Sequence, residues 1–340
     1  MVETARYRWS THISRHPRPA RSCNDAEMSP IPPHPFRFGV QLTSAPPGGS
    51  WADQARKMED LGYAVATMPD HFTDQYAPMP ALQAVLDATT TLRAGALVFD
   101  NDYKHPVVLA KELATMDVLS EGRVEIGLGA GWMIADYEQA GMPYDRAGVR
   151  IDRLIEGLAV IRGAMAEGPF SFEGTHYRIA DYDGTPKPVQ SPPPVLIGGG
   201  GPRVLSFAAR EADIVGINAS LHAGRIGPDV VDTMTAAAVA DKVAIVVEAG
   251  AHRLDGIELN IRTFFVSVTD DRQGTIETMS PTIGVQVSTL EDSPFALIGS
   301  TEHIVEQLLE RRERYGFSYI IVGSEVIEAF APVVAALAGK

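Results

Sequence analysis

The residues best suited to chemistry fall into a few short runs. Asp70 and His71 adjoin in Met68-Pro69-Asp70-His71-Phe72, setting a carboxylate acceptor beside the side chain whose proton exchanges near neutral pH. The pair reads either as an acid–base unit or as a turn capped by Asp70 with His71 packed on a rim. Gly127-Leu128-Gly129-Ala130-Gly131-Trp132 alternates glycines that let a flat ligand approach the backbone with an indole able to wall it. A tight turn over a buried indole would read the same. Gly198-Gly199-Gly200-Gly201-Pro202-Arg203 is more specific. Four glycines entering a helix start expose amide N–H groups at the positive end of the helix dipole, and Arg203 adds a bidentate cation, which suits a phosphate. Ala96-Leu97-Val98-Phe99-Asp100-Asn101-Asp102, with Lys104 and His105 beyond, offers an apolar floor with polar ends. No metal site is read: the remaining histidines are scattered, and the single cysteine, Cys23, excludes an internal disulfide and a cysteine-based zinc site. Neither a G-x-S-x-G elbow nor a P-loop occurs.

These runs need a scaffold that gathers several strand ends, and the intervening sequence describes one. Phe36–Leu42 alternates with period two and reads as a strand; Ser50 caps a helix with Ala55, Met58 and Leu61 on one face and Gly62 at its end. Short β-rich runs follow at 63–68, 92–99, 124–128, 195–197, 213–217, 257–268 and 319–322, each followed by helical periodicity, with Pro106, Pro202 and Ser300 at helix starts. Eight β/α units in roughly 300 residues predict an α/β fold of the (β/α)8 TIM-barrel type. A doubly wound sheet is the alternative, but the first strand leads into Thr43-Ser44-Ala45-Pro46-Pro47 and not a G-x-G-x-x-G turn. The chemistry-bearing runs follow the second, third, fourth and fifth strands, at the barrel face where function gathers. Residues 168–192 break the rhythm with Gly-Pro, Asp-Gly and Pro-rich punctuation and read as an inserted hairpin or loop; with 270–298 they are expected to shape the pocket.

Residues 1–35 carry five arginines and six prolines without an apolar stretch. They read as a disordered extension, or as an over-extended start with Met28 nearer the true beginning, leaving 36–340 as one barrel domain. The chain of 340 residues is 45% hydrophobic and 21% charged, enough apolar content for a substantial core. Its net charge of −14 repels phosphate backbones and anionic lipid, so nucleic acid and membrane are not expected partners. No apolar run reaches the roughly 18 residues of a membrane span. A cytoplasmic protein acting on a small molecule is the expectation.

Taken in order, Asp70-His71-Phe72, the Asn101–Pro106 stretch, Arg123 through Gly131-Trp132, Asp136-Tyr137 with Gly141 and Arg150, Phe172–Tyr177, and Pro194 through the four glycines resemble the luciferase-like flavin and deazaflavin oxidoreductases, particularly the branch using coenzyme F420. The resemblance spans about residues 36–325. It implies that a tricyclic ring lies in the barrel mouth with its phosphate end held by Gly199, Gly200, Gly201 and Arg203. Asp70 would bond the ring's polar edge and His71 would stand near the reacting carbon as proton carrier or substrate orienter. Ala130 and Gly131 would line the ring, and a non-proline cis peptide at Ala96-Leu97 would back it. Trp132 and Gln41 would face the substrate. The resemblance also implies a homodimer and hydride transfer to a C=C, C=N or C=O bond, with an FMN-dependent monooxygenase as the alternative and a non-catalytic flavin-binding barrel as a further one. Members that oxidise glucose 6-phosphate carry a glutamate where this chain has Trp132, and a tryptophan where it has Asp74-Gln75. The implied pocket is correspondingly more apolar.

Overall fold

The computed structural model describes residues 29–340; the extension expected over 1–28 lies outside the described residues. The strands are β1 Arg37–Gln41, β2 Val65–Met68, β3 Arg93–Ala96, β4 Phe99–Asp100, β5 Val124–Gly129, β6 Phe170–Glu173, β7 Arg178–Tyr182, β8 Val195–Gly199, β9 Ile214–Ile217, β10 Glu258–Arg262, β11 Phe265–Val268, β12 Ala296–Gly299 and β13 Phe317–Gly323. The helices are α1 Trp51–Asp60, α2 Pro78–Ala88, α3 Pro106–Leu119, α4 Ile134–Ala140, α5 Ala147–Met165, α6 Pro202–Glu211, α7 Pro228–Asp232, α8 Ala236–Gly250, α9 Arg272–Ile283, α10 Val287–Asp292, α11 Thr301–Tyr315 and α12 Ile327–Leu337.

Parallel pairing runs β3-β2-β1-β13-β10-β9-β8-β5-β4, and β3 also pairs with β5, which closes the ring. Since β3 and β4 are two pieces of one stave, the ring is the expected (β/α)8 barrel. Gly95 and Phe99 face Glu125 and Leu128, so four steps on one stave answer three on the other. That extra residue is a bulge, and bulges re-aim side chains beside sites. The barrel interior is filled by Val65, Leu196, Ile214, Tyr319 and Ile321, with Leu97 and Val98 above them, half-buried. A larger apolar layer, including Phe38, Leu113, Ile126 and Phe330, lies between staves and helices.

Three expectations need correction. The seventh strand, read over 257–268, leaves the barrel after Arg262. Thr263 N–H still donates to Ile321 O (2.8 Å), but Phe264 and Phe265 turn to Phe295 O, and β11 pairs with β12 in a separate ribbon. That ribbon has its own apolar cluster of Ile276, Leu290 and Ile298 under α9 and α10, so burial outside the barrel gives the same unbroken apolar run as burial inside it. The barrel body also begins before residue 36: Ile31 is buried, and Ser29 N–H donates to Glu313 O (2.8 Å). Finally, 168–192 serves the mouth only in part. It forms the β6–β7 hairpin, whose turn is held by Glu156, accepting from the N–H groups of Thr175, His176 and Tyr177. Its far end runs to the opposite face, where Gln190 bonds Asp117 and Arg93.

That opposite face is plugged by ions. Arg37 donates twice to Glu258 (2.9 and 2.7 Å) and pairs with Glu125, which also accepts from Arg93 (2.9 Å) and from Tyr319 OH (3.3 Å). Among the described residues no helix is long and apolar enough to cross a membrane.

Candidate active site

β2 ends on buried Met68, and the turn at Pro69 delivers Asp70 and His71 to the rim. Leu97 N–H donates to Met68 O (2.7 Å) and Asp100 N–H to Asp70 Oδ2 (3.1 Å), so two runs that look separate in sequence share one corner. His71 Nδ1 lies 2.6 Å from Oδ2 of Asp136, at the start of α4. Asp136 is buried and also accepts from Phe72 N–H (3.2 Å) and Tyr103 OH (3.1 Å). A carboxylate that accepts from three donors fixes the His71 proton on Nδ1 and leaves Nε2 at the opposite edge of the ring. Among the described residues Nε2 makes no hydrogen bond. Trp132 meets the imidazole edge-on (5.5 Å, 87°), and Phe72 stacks on Tyr103 (4.6 Å).

Behind this corner the carboxyls crowd. The single proton of Tyr137 OH faces Asp100 Oδ2 (3.0 Å) and Asp102 Oδ2 (3.1 Å), Asp102 N–H donates to Asp100 Oδ1 (2.9 Å), and Arg153 pairs with Asp102 (2.9 Å). Burial pushes Asp70 up to about 6 and Asp100 up to about 7, and raises Asp102. Burial, then the neighbouring carboxylates, also hold the Tyr103 and Tyr137 phenols well above their usual range. No group of three or more His, Cys, Asp or Glu among the described residues is placed to hold a metal ion. Gly131, at φ 73°, lies directly on this network: a Cβ there would run into the Tyr137 hydroxyl and the Asp100 carboxylate. Buried Arg150 clamps the same turn, donating to Ala130 O (3.2 Å) and Gly131 O (3.3 Å).

The floor is set by the bulge. The cis peptide is Leu97–Val98, one residue beyond the expected Ala96-Leu97, because Ala96 still holds its register with Met68 and the ladder breaks only after it. Ala96 is buried, while Leu97, Val98 and Ala130 stand half-open to the mouth. A Cβ on Gly129 would strike Val98 and one on Gly127 would strike Ala96 O. These two glycines therefore serve the packing of the floor.

The glycine run at β8 divides in the same way. Gly199 packs on Val204 and Gly200 on the carbonyls of Asn218 and Ala219, whereas a side chain at Gly201 would meet only open space. Gly201 caps α6 without a side-chain partner, so the first amides of that helix are left to a ligand or water. Arg203 is turned toward α5, donating to Gly148 O (3.0 Å) and pairing with Asp152, and Lys104 pairs with Glu112 (2.6 Å). Each cation is thus already matched by a carboxylate in this structure.

Gln41 spans the mouth, donating from Nε2 to Leu97 O (3.3 Å) and accepting from Arg262 Nε (2.9 Å). Sequence reading missed Arg262. Its signal was a lone arginine inside the apolar run 257–268. Asp136 carries no local mark of its role, because nothing in the sequence links a carboxylate to a histidine 65 residues away. The motifs Asn101–Pro106 and Phe172–Tyr177 form one structural joint: Asn101 donates to Tyr177 OH (3.2 Å) and His105 meets the Tyr177 ring edge-on.

Comparison with known proteins gives the chain a family. The family model described as luciferase-like monooxygenase matches residues 34–319. The FMNH(2)-dependent dimethylsulfone monooxygenase of Pseudomonas putida is 30% identical over 176 residues, 48% of each chain. The F420-dependent glucose-6-phosphate dehydrogenase of Amycolatopsis mediterranei is 30% identical over 169 residues, 47% of this chain and 50% of that one. The chain thus spans about half the length of these curated relatives. Over nearly the whole barrel, the coenzyme F420 dependent tetrahydromethanopterin reductase from Methanopyrus kandleri superposes with a TM-score of 0.72 at 19% identity, covering 89% of this chain and all of that one. The (β/α)8 fold is shared, and the chain belongs to the luciferase-like monooxygenase family.

Proposed function

We propose that this protein is an F420-dependent oxidoreductase that moves a hydride between the deazaflavin and a small, fairly apolar substrate bearing a C=C, C=N or C=O bond. The observation that carries it is His71, whose Nδ1 is held by Asp136 so that Nε2 is the free nitrogen, at a rim corner that adjoins the half-open floor residues Leu97 and Val98. The residues fit a flat ring with an anionic tail. Leu97, Val98 and Ala130 would underlie the ring, and Asp70 would reach its polar edge. The backbone of Gly199, Gly200 and Gly201, with the uncapped start of α6, would take the phosphate, and Arg203 would do so on release from Asp152. When bound, F420 supplies a two-electron donor or acceptor of hydride, and that chemistry is the cofactor's own.

The chain's part is position and protons. His71 Nε2 delivers or takes the proton that accompanies hydride transfer, and Asp136 holds the tautomer that makes Nε2 the working atom. Trp132 presents indole where the sugar-phosphate enzymes carry an acid, which favours a less polar substrate. The names of the dehydrogenase relative and of the reductase sharing the fold support F420; the sulfone monooxygenase relative, at the same identity, supports FMN as the second reading. Fluorescence titration of the purified protein with F420 and, separately, FMN decides between them. Saturable F420 binding, retained in His71→Ala while turnover is lost, is the expected result. Binding of FMN alone, with oxygen consumed when reduced FMN is supplied, would transfer the site to monooxygenase chemistry.

A further inference from the structure

Arg262 has no role in the scheme above, yet it stands at the C-terminal end of β10, on the mouth side of the barrel. Its surroundings are unusual for an arginine. Nε is committed to Gln41 Oε1 (2.9 Å) and the guanidinium carbon lies 5.2 Å from the ring centre of Phe264, which is itself 42% exposed. Nη1 is buried with no hydrogen-bond partner among the described residues, and no carboxylate of those residues pairs with the group. Other deeply placed arginines have more to hold them: Arg37 has Glu125 and Glu258, Arg153 has the carboxylates of Asp102 and Asp145 although its Nε makes no hydrogen bond, and Arg150 and Arg311 donate to backbone carbonyls. Burial pushes Arg262 down to about 10, with the more distant Glu325 opposing, so it is a cation at any physiological pH. A half-buried guanidinium with one covered, unspent donor is costly unless an acceptor, best an anion, completes it.

The position says which anion. Through Gln41, Arg262 is one amide away from Leu97 O, the carbonyl at the bulge that forms the floor. The guanidinium therefore stands beside the floor, and Nη1, covered in this structure, becomes available to a molecule lying there if the Gln41 or Phe264 side chain shifts. We infer that Arg262 is the specificity-determining anchor for a carboxylate on the substrate, with Gln41 as the strut that holds the guanidinium over the floor. The substrate class becomes an unsaturated, largely apolar acid: the apolar body meets Trp132 and Phe264, and its carboxylate meets Arg262. This rests on the mouth being the active site, as proposed above, and adds to it a charge requirement that the apolar walls alone do not give.

The test uses two shape-matched probes, benzoate and benzamide, titrated calorimetrically into the full-length protein as isolated and again with F420 or FMN. Wild type is expected to bind benzoate at least tenfold tighter than benzamide. Arg262→Gln should abolish that preference, Arg262→Lys should keep part of it, and cofactor affinity should stay within twofold in both. Equal binding of the two probes by wild type, or a preference that survives Arg262→Gln, overturns the inference. So does a loss of cofactor binding with the probe preference intact, which would give the guanidinium to the ring. If neither cofactor binds but the benzoate preference follows Arg262, the hydride reading fails while the anchor stands; if a cofactor binds and no preference appears, the reverse holds.

Discussion

The two ends of this barrel are built from the same residue types and use them oppositely. At the closed end two arginines, two glutamates and a tyrosine satisfy one another: Arg37 bridges Glu258 and Glu125, Arg93 takes Glu125 as well, and the Arg37 guanidinium lies 3.7 Å from the Tyr319 ring centre. At the open end Asp70, Asp100, Asp102 and Asp136 gather with, among the described residues, only Arg153 and His71 paired directly to them, and Arg262 keeps a donor unspent nearby. Complete pairing stabilises and offers nothing to a ligand. Incomplete pairing raises carboxyl pKa values, orients one imidazole and leaves donors for something that arrives.

The largest effect that would sharpen this contrast lies at the open end. His71→Ala should reduce turnover by about 10²–10⁴-fold, the usual worth of a positioned proton carrier, while cofactor affinity and unfolding midpoint stay near wild type. Asp136→Asn should lose a smaller part of the same rate, in kcat and not in cofactor affinity, which a merely structural aspartate would not do. Glu125→Ala is the matched experiment at the closed end. It leaves Arg93 without its carboxylate and Arg37 with Glu258 alone, and urea unfolding should show a loss of about 3 kcal/mol with the chemistry at the mouth otherwise intact. If Glu125→Ala abolished turnover in a fully folded protein, the division of labour between the two ends would be wrong.

What the sequence discloses follows the same division. Periodicity, caps and turns are local, so the staves and helices could be read directly: Ser50 and Ser300 do cap α1 and α11, and Pro106 and Pro202 do open α3 and α6. Long-range pairings leave no local trace. The His71–Asp136 contact joins different elements, and the exit of β11 from the barrel depends on Phe295, far downstream. Family-like motifs mislead in another way, because scaffold and site are equally recognisable. Arg123, in one such motif, spends its guanidinium on the carbonyls of Leu86, Leu92 and Ser120. Gly127 and Gly129 serve the floor's packing in the same fashion.

A pH series tests the electrostatic half of the contrast with a smaller effect. Asp70 and Asp100 sit above their unfolded value of 3.8, at about 6 and about 7, so between those values the folded protein holds more protons than the unfolded chain. Their contribution to stability is fully present below about pH 4 and is lost as pH rises through 6 and 7, the opposite of an ion-paired aspartate. Unfolding free energy should therefore fall by the order of 1–3 kcal/mol between pH 5 and pH 8. Asp70→Asn, which keeps an acceptor for Asp100 N–H, should flatten that slope. A slope of the opposite sign would mean these carboxyls are paired as fully as those at the closed end.

The smallest effect concerns Arg203, the residue whose sequence position most suggested a phosphate clamp. Its guanidinium is half-exposed and already occupied by Asp152 and Gly148 O, so a ligand gains only what it offers beyond that pair. Exposed pairs are worth about 0.2–1 kcal/mol. Arg203→Gln should accordingly weaken cofactor binding by less than about fivefold in a fluorescence titration, and Asp152→Asn, which frees the arginine, should tighten it by a similar factor. The backbone amides at Gly201 and the start of α6 would then supply most of the grip, consistent with a site made from chain geometry before it is made from charge. A loss of a hundredfold or more in Arg203→Gln would show the reverse: that the Asp152 pair is a latch the cofactor opens, and that the open end keeps one more charge in reserve.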